Sequence, residues 1–198
     1  MMKVKKERSL VLLKPDAVKR GLVGEILHRF ERSGLKVVGA KILNADQDVA
    51  KKHYKKDEEW HKKIGELNIK DCNQFDLDIE EIFGTLDPLE IGVMVNDWLF
   101  EMFALGPVFA FVLEGPDCVA KIRSLVGPTY PIVAPPGTIR GDFGLDSAYV
   151  SMINKRALLN LIHASGTNDE AVEEIKLWFK EEELLSYKTS QDDFYSYC

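Results

Sequence analysis

The sequence predicts an α/β fold in which short strands and amphipathic helices build one α+β sandwich. Strand-like and helix-like segments alternate four times along the 198 residues. Four short strands fit a four-stranded antiparallel sheet of the ferredoxin-like, βαββαβ type better than a six-stranded doubly wound sheet. Because 45% of the residues are hydrophobic, the chain is able to bury one sizeable core. A single domain over residues 1–198 is therefore expected, with insertions.

The first half of the chain contains two predicted strands and two predicted helical segments. Residues 8–13 form a short apolar strand that ends before Pro15, where the chain must turn. Apolar side chains then recur at helical spacing over residues 23–30. Residues 35–43 have the β-branched content of a second strand, and residues 47–54 predict one or two further helical turns.

The second half repeats the alternation. A helix is predicted over residues 87–104, because Asp followed by Pro is a favourable N-cap and first-turn pair. A third strand is predicted at 108–115, followed by a helix from 116 to 127. A fourth strand is predicted at 158–163, and an amphipathic helix at 168–179.

The acidic charge of the chain is concentrated in one stretch. Residues 55–90 contain eleven acidic residues and five lysines, which accounts for the whole net charge of −6. This balance argues against a broad nucleic-acid-binding face. The longest nearly apolar segment, 102–113, is too short to span a bilayer, and the N-terminal apolar run is too short for a signal peptide. We therefore expect a soluble cytoplasmic protein with no membrane partner.

Two segments are unusually long for connections in a compact domain. The acidic stretch at about 55–90 is weakly periodic, which is typical of a surface insertion. Residues 127–144 hold four of the eight prolines and four glycines, and a long rigid loop of this kind usually serves a site. The three cysteines, Cys72, Cys118 and Cys198, show neither metal-ligand spacing nor a disulfide framework.

Three cations at sharp turns of the backbone point to phosphate binding. Lys14 follows an apolar strand, Arg123 lies near a helix end, and Arg140 lies between glycines in the long loop. Arginine binds phosphate oxygens bidentately, lysine adds a point charge, and the Thr129 hydroxyl offers a further hydrogen bond. The chain has no Walker A or GxGxxG motif, and each cation alone is more often a surface charge. Together they predict a polyphosphate site.

His163, in the segment NLIHASG, is a candidate nucleophile. Three small residues follow it and leave space beside the imidazole. Neutral imidazole is able to attack phosphorus and hold it as a phosphohistidine. Glu174, on the helix that follows, is a candidate to orient the far ring nitrogen. The alternatives are a hydrogen-bonded structural histidine and a solvated helix glutamate.

Seven sequence blocks identify a family. They read SLVLLKPDAVKRGLVGEI, HY at 53 and 54, GPVFAFVLEG, VGPTYP, PPGTIRGDF, NLIHASG and EEIKLWF. With these blocks in this order the chain resembles nucleoside diphosphate kinases over nearly its whole length. The resemblance implies a ferredoxin-like sandwich and ping-pong transfer of the γ-phosphoryl group from a nucleoside triphosphate to a nucleoside diphosphate. It also implies Mg²⁺ carried by the nucleotide phosphates, with no protein side chain required as a metal ligand.

The same resemblance implies roles for individual residues. His163 resembles the phosphorylated histidine, Ser165 the hydroxyl just after it, and Glu174 its orienting carboxylate. Pro131 resembles the proline of a loop that makes subunit contacts, which implies a homo-oligomer, commonly a hexamer. The residues that resemble the family's nucleotide-binding set are Lys14, Tyr54, Arg123, Thr129, Arg140 and Asn160, with Lys14 and Asn160 placed towards the sugar hydroxyls.

The chain departs from the family pattern in three places. Ala164 and Gly166 replace a glycine and an aspartate around the histidine. The acidic stretch interrupts the region where the family places the aromatic residue that stacks on the base, and Trp60 is the candidate substitute. A short insertion at about 146–158 is expected to form an added helical turn at the pocket rim or at an interface. Base selectivity should be weak if the base meets only a hydrophobic face.

Two functions of other classes compete with the kinase. The first is a catalytically weak member of the family that senses nucleotides or acts as a scaffold, with the acidic insertion as its partner surface. The second is a ferredoxin-like regulatory domain that binds a small effector. The presence of every phosphate-site residue favours the kinase, and GTIRGD together with NLIH has no explanation in the regulatory domain.

Overall fold

A computed structural model of the chain describes residues 4–45, 47–54 and 57–194, so the first two residues of the predicted acidic insertion, 55 and 56, lie outside the described residues. Short 3₁₀ turns at Pro131–Val133 and Glu181–Glu183 supplement the regular elements. The strands and helices are β1 (Glu7–Leu13), α1 (Pro15–Lys19), α2 (Val23–Arg32), β2 (Lys36–Leu43), α3 (Gln47–His53), α4 (Glu58–Gln74), α5 (Ile79–Phe83), α6 (Pro88–Phe103), β3 (Val108–Gly115), α7 (Cys118–Val126), α8 (Ile139–Phe143), α9 (Ala148–Ile153), β4 (Ile162–Ala164), α10 (Asn168–Trp178) and α11 (Ser190–Phe194).

The four strands form one antiparallel sheet in the order β2-β3-β1-β4. This confirms the predicted four-stranded, ferredoxin-like architecture. The central strand β1 alternates between two cores, with Leu10 and Leu12 on one face and Val11 and Leu13 on the other. All four side chains are fully buried. A strand covered on both faces appears in sequence as a continuous apolar run, which is why β1 is readily predicted.

Helices cover both faces of the sheet. Helices α3, α6 and α10 pack on the face that carries Leu10, and Trp178 of α10 is buried there. Helices α2 and α7 pack on the opposite face through Phe30 and Ile122, both fully buried. None of the helices in the described part of the chain is long and apolar enough to cross a membrane.

The predicted bounds of the fourth strand are wrong. The strand covers Ile162–Ala164 instead of residues 158–163. Leu161 has a φ of +72°, a left-handed conformation that interrupts the extended backbone just before the strand. Its three residues pair with β1, and His163 lies opposite Leu12. The short edge strand therefore places His163 beside Leu12 of the central strand β1.

The acidic stretch is helical rather than irregular. Helix α4 begins after Asp57, whose side chain accepts a hydrogen bond from the backbone N–H of Trp60. It crosses α6 so closely that a Cβ on Gly65 would lie 1.7 Å from the Pro88 carbonyl oxygen, and a Cβ on Gly92 would lie 1.8 Å from the His61 carbonyl oxygen. Glycine is therefore required at both points of the crossing.

A third core fixes these added helices to the rest of the molecule. It contains Cys72 of α4, Phe83 of α5, Ile91 of α6 and Met152 of α9, all buried. Helix α9 lies within the region 146–158, where an added helical turn is predicted. The acidic stretch thus has an apolar inner face, which its weak periodicity does not reveal.

Candidate active site

Lys14 lies where β1 ends and α1 begins. Its backbone N–H donates to the Leu161 carbonyl at 2.9 Å, and its Nζ donates to Oδ1 of Asn160 at 2.7 Å. Asp16 accepts from the Leu161 N–H at 3.0 Å, so the β1 end and the segment before β4 are tied together. Lys14 is 5% exposed and Asn160 is 4% exposed. The ammonium group is thus held in a fixed position at the bottom of a cavity.

Arg140 joins three segments of backbone through one guanidinium. Its Nε donates to the Asn160 carbonyl at 3.2 Å, Nη1 to the Gly127 carbonyl at 3.0 Å, and Nη2 to the Ile162 carbonyl at 2.6 Å. These bonds connect the long loop, α8 and the start of β4. The Arg140 charge is therefore positioned by the fold before any ligand binds.

The two cations repel each other in a largely dry environment. Burial and the neighbouring Arg140 lower the pKa of Lys14 to about 8, against the opposite effect of Asp16. Burial and Arg123 lower the pKa of Arg140 to about 10, against the effects of Tyr54 and Asp16. The site therefore holds excess positive charge, which an anionic ligand would relieve.

His163 on β4 forms a hydrogen-bonded set with α10. Its Nε2 lies 2.9 Å from Oε1 of Glu174, and the Ser165 hydroxyl donates to Oε2 of the same carboxylate at 2.7 Å. Burial alone would raise the pKa of Glu174, but the hydrogen bond to His163, the electrostatic interactions with the His163 and His53 rings and the Ser165 hydrogen bond lower it on balance. A carboxylate only accepts, so Nε2 carries the proton and Nδ1 keeps its lone pair.

His53 is a site residue to which the sequence assigns no role. Its ring meets the His163 ring edge-on, with centroids 4.4 Å apart, and its Nδ1 lies 3.7 Å from Oε1 of Glu174. The indole N–H of Trp178 lies 3.3 Å from the same nitrogen. The block HY at 53 and 54 is the sequence signal for this residue, although the resemblance implies a role only for its tyrosine. His53 supports the position of the His163 ring.

Tyr54 lies beside these imidazoles at the end of α3. Its ring centroid is 6.5 Å from that of His163, and its side chain is 8% exposed. Burial, with Glu174 as a second cause, raises the pKa of the Tyr54 hydroxyl above its ordinary value. The hydroxyl therefore remains protonated and able to donate to a phosphate oxygen.

A cavity of about 370 Å³ brings most of the predicted residues together. Arg123 lines an adjoining opening with Thr129, Arg140 and His163, and Trp60 lines both spaces. Ser165 is fully buried behind His163, and Pro131 is buried in a 3₁₀ turn of the long loop. The predicted residues that line the cavity itself are Lys14, Tyr54, Trp60, Thr129, Arg140, Asn160 and His163.

Comparison with known proteins identifies the family of this fold and site. A family model described as nucleoside diphosphate kinase matches residues 7–65 and 94–184. The chain belongs to the nucleoside diphosphate kinase family. A nucleoside diphosphate kinase from Pyrobaculum aerophilum is 44% identical over 179 residues, covering 90% of this chain and 98% of the relative.

Two solved structures of nucleoside diphosphate kinases match nearly the whole chain. An NDP kinase from Pyrobaculum aerophilum has a TM-score of 0.88 at 42% identity, covering 92% of this chain and 100% of that one. The enzyme from Borrelia burgdorferi, a transition-state mimic with bound vanadate and ADP, has a TM-score of 0.76 at 36% identity and covers 98% of each chain. The internal segment that the family model leaves unmatched, residues 66–93, lies mostly within the acidic stretch.

Proposed function

We propose that this member of the nucleoside diphosphate kinase family transfers the γ-phosphoryl group of a nucleoside triphosphate to a nucleoside diphosphate through a phosphohistidine at His163. The observation that carries this assignment is the pairing of Nε2 of His163 with Glu174, because His163 lines the same cavity as Lys14 and Arg140. That pairing leaves Nδ1 as the nucleophilic nitrogen.

The reaction has two balanced half-steps. Nδ1 of His163 donates its lone pair to the γ-phosphorus, the bond from phosphorus to the bridging oxygen breaks, and the nucleoside diphosphate leaves with that oxygen. A second nucleoside diphosphate then attacks the phosphohistidine, and the nitrogen–phosphorus bond breaks. Glu174 stabilises the positive charge that the imidazole ring carries while it is phosphorylated.

Fixed cations supply most of the catalysis. Phosphoryl transfer spreads negative charge over the transferring oxygens, so groups already aimed at those oxygens lower the barrier. Arg140 is positioned by its three carbonyl contacts, and Arg123 and Thr129 line the adjoining opening. Lys14 and Asn160, bonded to each other, would contact the sugar hydroxyls and the phosphates.

Mg²⁺ fits this site as an ion carried by the nucleotide. The residues around the phosphate position are cations, which do not ligate metals, and Mg²⁺ prefers phosphate oxygens and water. His53, His163 and Glu174 offer ligand atoms within 4.8 Å of one another, but two imidazoles are not the ligand set of Mg²⁺. When bound, the ion would neutralise phosphate charge, and Lys14 and Arg140 would neutralise the remainder.

The exposed tip of the long loop supports a homo-oligomer, for which a hexamer is the favoured size. Pro131 is buried, whereas the next two residues, Ile132 and Val133, are 79% and 66% exposed. Adjacent exposed aliphatic residues on a rigid loop are typical of a surface that another subunit covers. A single domain over residues 1–198 and a cytoplasmic location stay predictions.

The decisive test is covalent labelling. The protein is incubated with γ-labelled ATP and Mg²⁺, quenched, and tested for an acid-labile, base-stable label. His163→Ala should abolish the label, whereas His28→Ala, at an exposed position of α2, should retain it. Added nucleoside diphosphate should discharge the label as a triphosphate. Binding of ATP without labelling of the wild type would instead support the nucleotide-sensing alternative, which family membership does not favour.

A further inference from the structure

The wall of the cavity opposite the phosphate site is not purely hydrophobic. The second half of α4 contributes Asn68 and Asp71, three residues apart and therefore on one face of the helix. Both lie in the part of the chain that the family model does not match, residues 66–93. The side chains that flank them in the cavity include Trp60 of the same helix and Trp98 of α6.

The polar atoms on this wall are hydrogen-bond acceptors. Oδ2 of Asp71 accepts from the Tyr130 hydroxyl at 2.9 Å, and Oδ1 has no donor among the residues that the structure describes. The Asn68 amide donates its N–H to the Ile64 carbonyl at 2.9 Å, and no described residue donates to its own carbonyl oxygen. The Ser151 hydroxyl of α9 donates its hydrogen bond to the Ala148 carbonyl at 2.9 Å, so towards the cavity its oxygen acts as an acceptor.

Arg156, a cation that also lines the cavity, is already hydrogen-bonded within the protein. The Arg156 guanidinium forms two bonds to the Asp146 carboxylate, at 2.6 and 3.1 Å, and a third to the Ala157 carbonyl at 3.0 Å. Three of its five N–H groups are therefore used within the protein. Among the residues that the structure describes, no cation pairs with Asp71, which lines the cavity.

A short path of contacts links this wall to the phosphate site. Asn160, which binds Lys14, donates to the Thr129 carbonyl at 3.0 Å. The next residue, Tyr130, reaches Asp71. A nucleotide whose phosphates lie at Lys14 would therefore extend its base between the aromatic side chains towards α4.

We infer that the Asp71 carboxylate accepts hydrogen bonds from the nucleotide base, and that this enzyme therefore prefers guanine nucleotides. Guanine presents two adjacent donors, N1–H and the N2 amino group, which match a carboxylate and a neighbouring amide oxygen. Uracil and thymine present one donor between two carbonyl oxygens, which the carboxylate repels. The inference rests on the proposed function, because it assumes that a nucleotide occupies this cavity.

The inference replaces the expectation of weak base selectivity. That expectation holds where the base meets only apolar side chains, whose contacts hardly distinguish one ring from another. A site built to bond N–H groups rejects a base that lacks them, because its buried polar atoms are then left unpaired. Asp71 and Asn68 introduce such a site on a wall that is otherwise aromatic and aliphatic.

The test compares GDP with IDP, which differ only by the N2 amino group. We would measure both dissociation constants by calorimetry and both kcat/KM values as phosphoryl acceptors, with UDP as a third substrate. The wild type should favour GDP over IDP by roughly 10-fold, as expected for one hydrogen bond to a charged group. Asp71→Asn should bind GDP and IDP equally, because an amide N–H then faces the guanine donors.

Tyr130→Phe is the matched control. It removes the hydrogen bond between residues 71 and 130 but keeps the carboxylate, so the preference for GDP should persist. Equal affinity of the wild type for GDP and IDP would overturn the inference, as would an unchanged preference in Asp71→Asn. Loss of the preference in Tyr130→Phe would also overturn it, because Asp71 would then act through the loop. If no acceptor is phosphorylated, the proposed function fails, and calorimetry still decides whether the cavity selects guanine.

Discussion

The charge of Lys14 predicts how phosphoryl transfer should depend on pH. The side chain is 5% exposed and lies close to Arg140, and these two influences lower its pKa to about 8. The cationic form is the one that binds phosphate. Raising the pH through 8 should therefore remove a phosphate-binding charge from the free enzyme, even though an ordinary lysine remains charged to about pH 10.

The size of the fall in kcat/KM follows from the titration of Lys14. With a pKa of about 8, Lys14 is about nine-tenths protonated at pH 7 and about one-tenth protonated at pH 9. Because kcat/KM reports ionisations of the free enzyme, its value for ATP should fall roughly tenfold between these pH values. Bound phosphates stabilise the ammonium group, so kcat at saturating nucleotide should fall at a higher pH than kcat/KM.

The contribution of Lys14 to the stability of the fold should rise with pH, whereas kcat/KM falls. The folded-state pKa of Lys14 lies below the ordinary value of 10.5, so the unfolded chain binds more protons between pH 8 and 10.5. The contribution of Lys14 to the free energy of unfolding therefore rises with pH over that window. A fall in kcat/KM accompanied by equal or greater resistance to urea would exclude alkaline unfolding as the cause.

The assay is a kcat/KM profile from pH 6.5 to 9.5 for the wild type and for Lys14→Arg. Guanidinium stays charged throughout this range, so the variant should lack the fall near pH 8, whatever its absolute activity. A wild-type profile that stays flat to pH 9.5 would refute the reasoning. A fall of the same shape in Lys14→Arg would refute the assignment to Lys14.

Three further substitutions test the rest of the site and the added helices. Glu174→Gln should slow labelling of His163 by about 10- to 100-fold in rapid-quench experiments, because the orienting carboxylate is lost while the phosphate-binding cations remain. Arg140→Lys should lower kcat/KM by about 10²-fold or more, since one ammonium group replaces a guanidinium held by three carbonyls. Gly92→Ala should lower the free energy of unfolding by about 1–3 kcal/mol or more in urea titrations, because its Cβ would lie 1.8 Å from the His61 carbonyl oxygen.

Each substitution has a control of the same residue type. Glu173→Gln changes an exposed neighbour on α10 and should leave labelling at the wild-type rate. Arg32→Lys changes an exposed arginine of α2. Gly24→Ala adds a Cβ that meets no atom within 4 Å, so it should not destabilise the helix. Equal effects of a test variant and its control would contradict the corresponding assignment.

The sequence predicts structure best for residues whose contacts are made by neighbours in the chain or by an apolar core. Strand β1 is buried on both faces and therefore appears as an uninterrupted apolar run. The pairing of His163 with Glu174 was predictable because the two residues are only eleven positions apart, on a strand and the helix that follows it. The fourth strand was misplaced because Leu161 adopts a left-handed backbone, which its side chain does not indicate.

Contacts between distant segments could not be read from the sequence. His53 contacts His163 across more than a hundred residues, and the block HY at 53 and 54 does not indicate which residue His53 contacts. The carbonyl groups that bind Arg140 belong to the backbone, which every sequence shares. Asp71 is one of eleven acidic residues in its stretch, and only the packing of α4 distinguishes it from the others.

The close crossing of α4 and α6 positions the wall proposed to bind the base independently of the residues proposed to transfer the phosphoryl group. The chemical groups, such as His163 and Arg140, are fixed by the sheet and the long loop, whereas the opposite wall is fixed by Gly65 and Gly92. A change at this crossing would move Asp71 without disturbing the contact between His163 and Glu174. Gly92→Ala should therefore alter the preference between GDP and IDP more than it alters labelling by ATP, and equal losses in both would show that the two walls do not act independently.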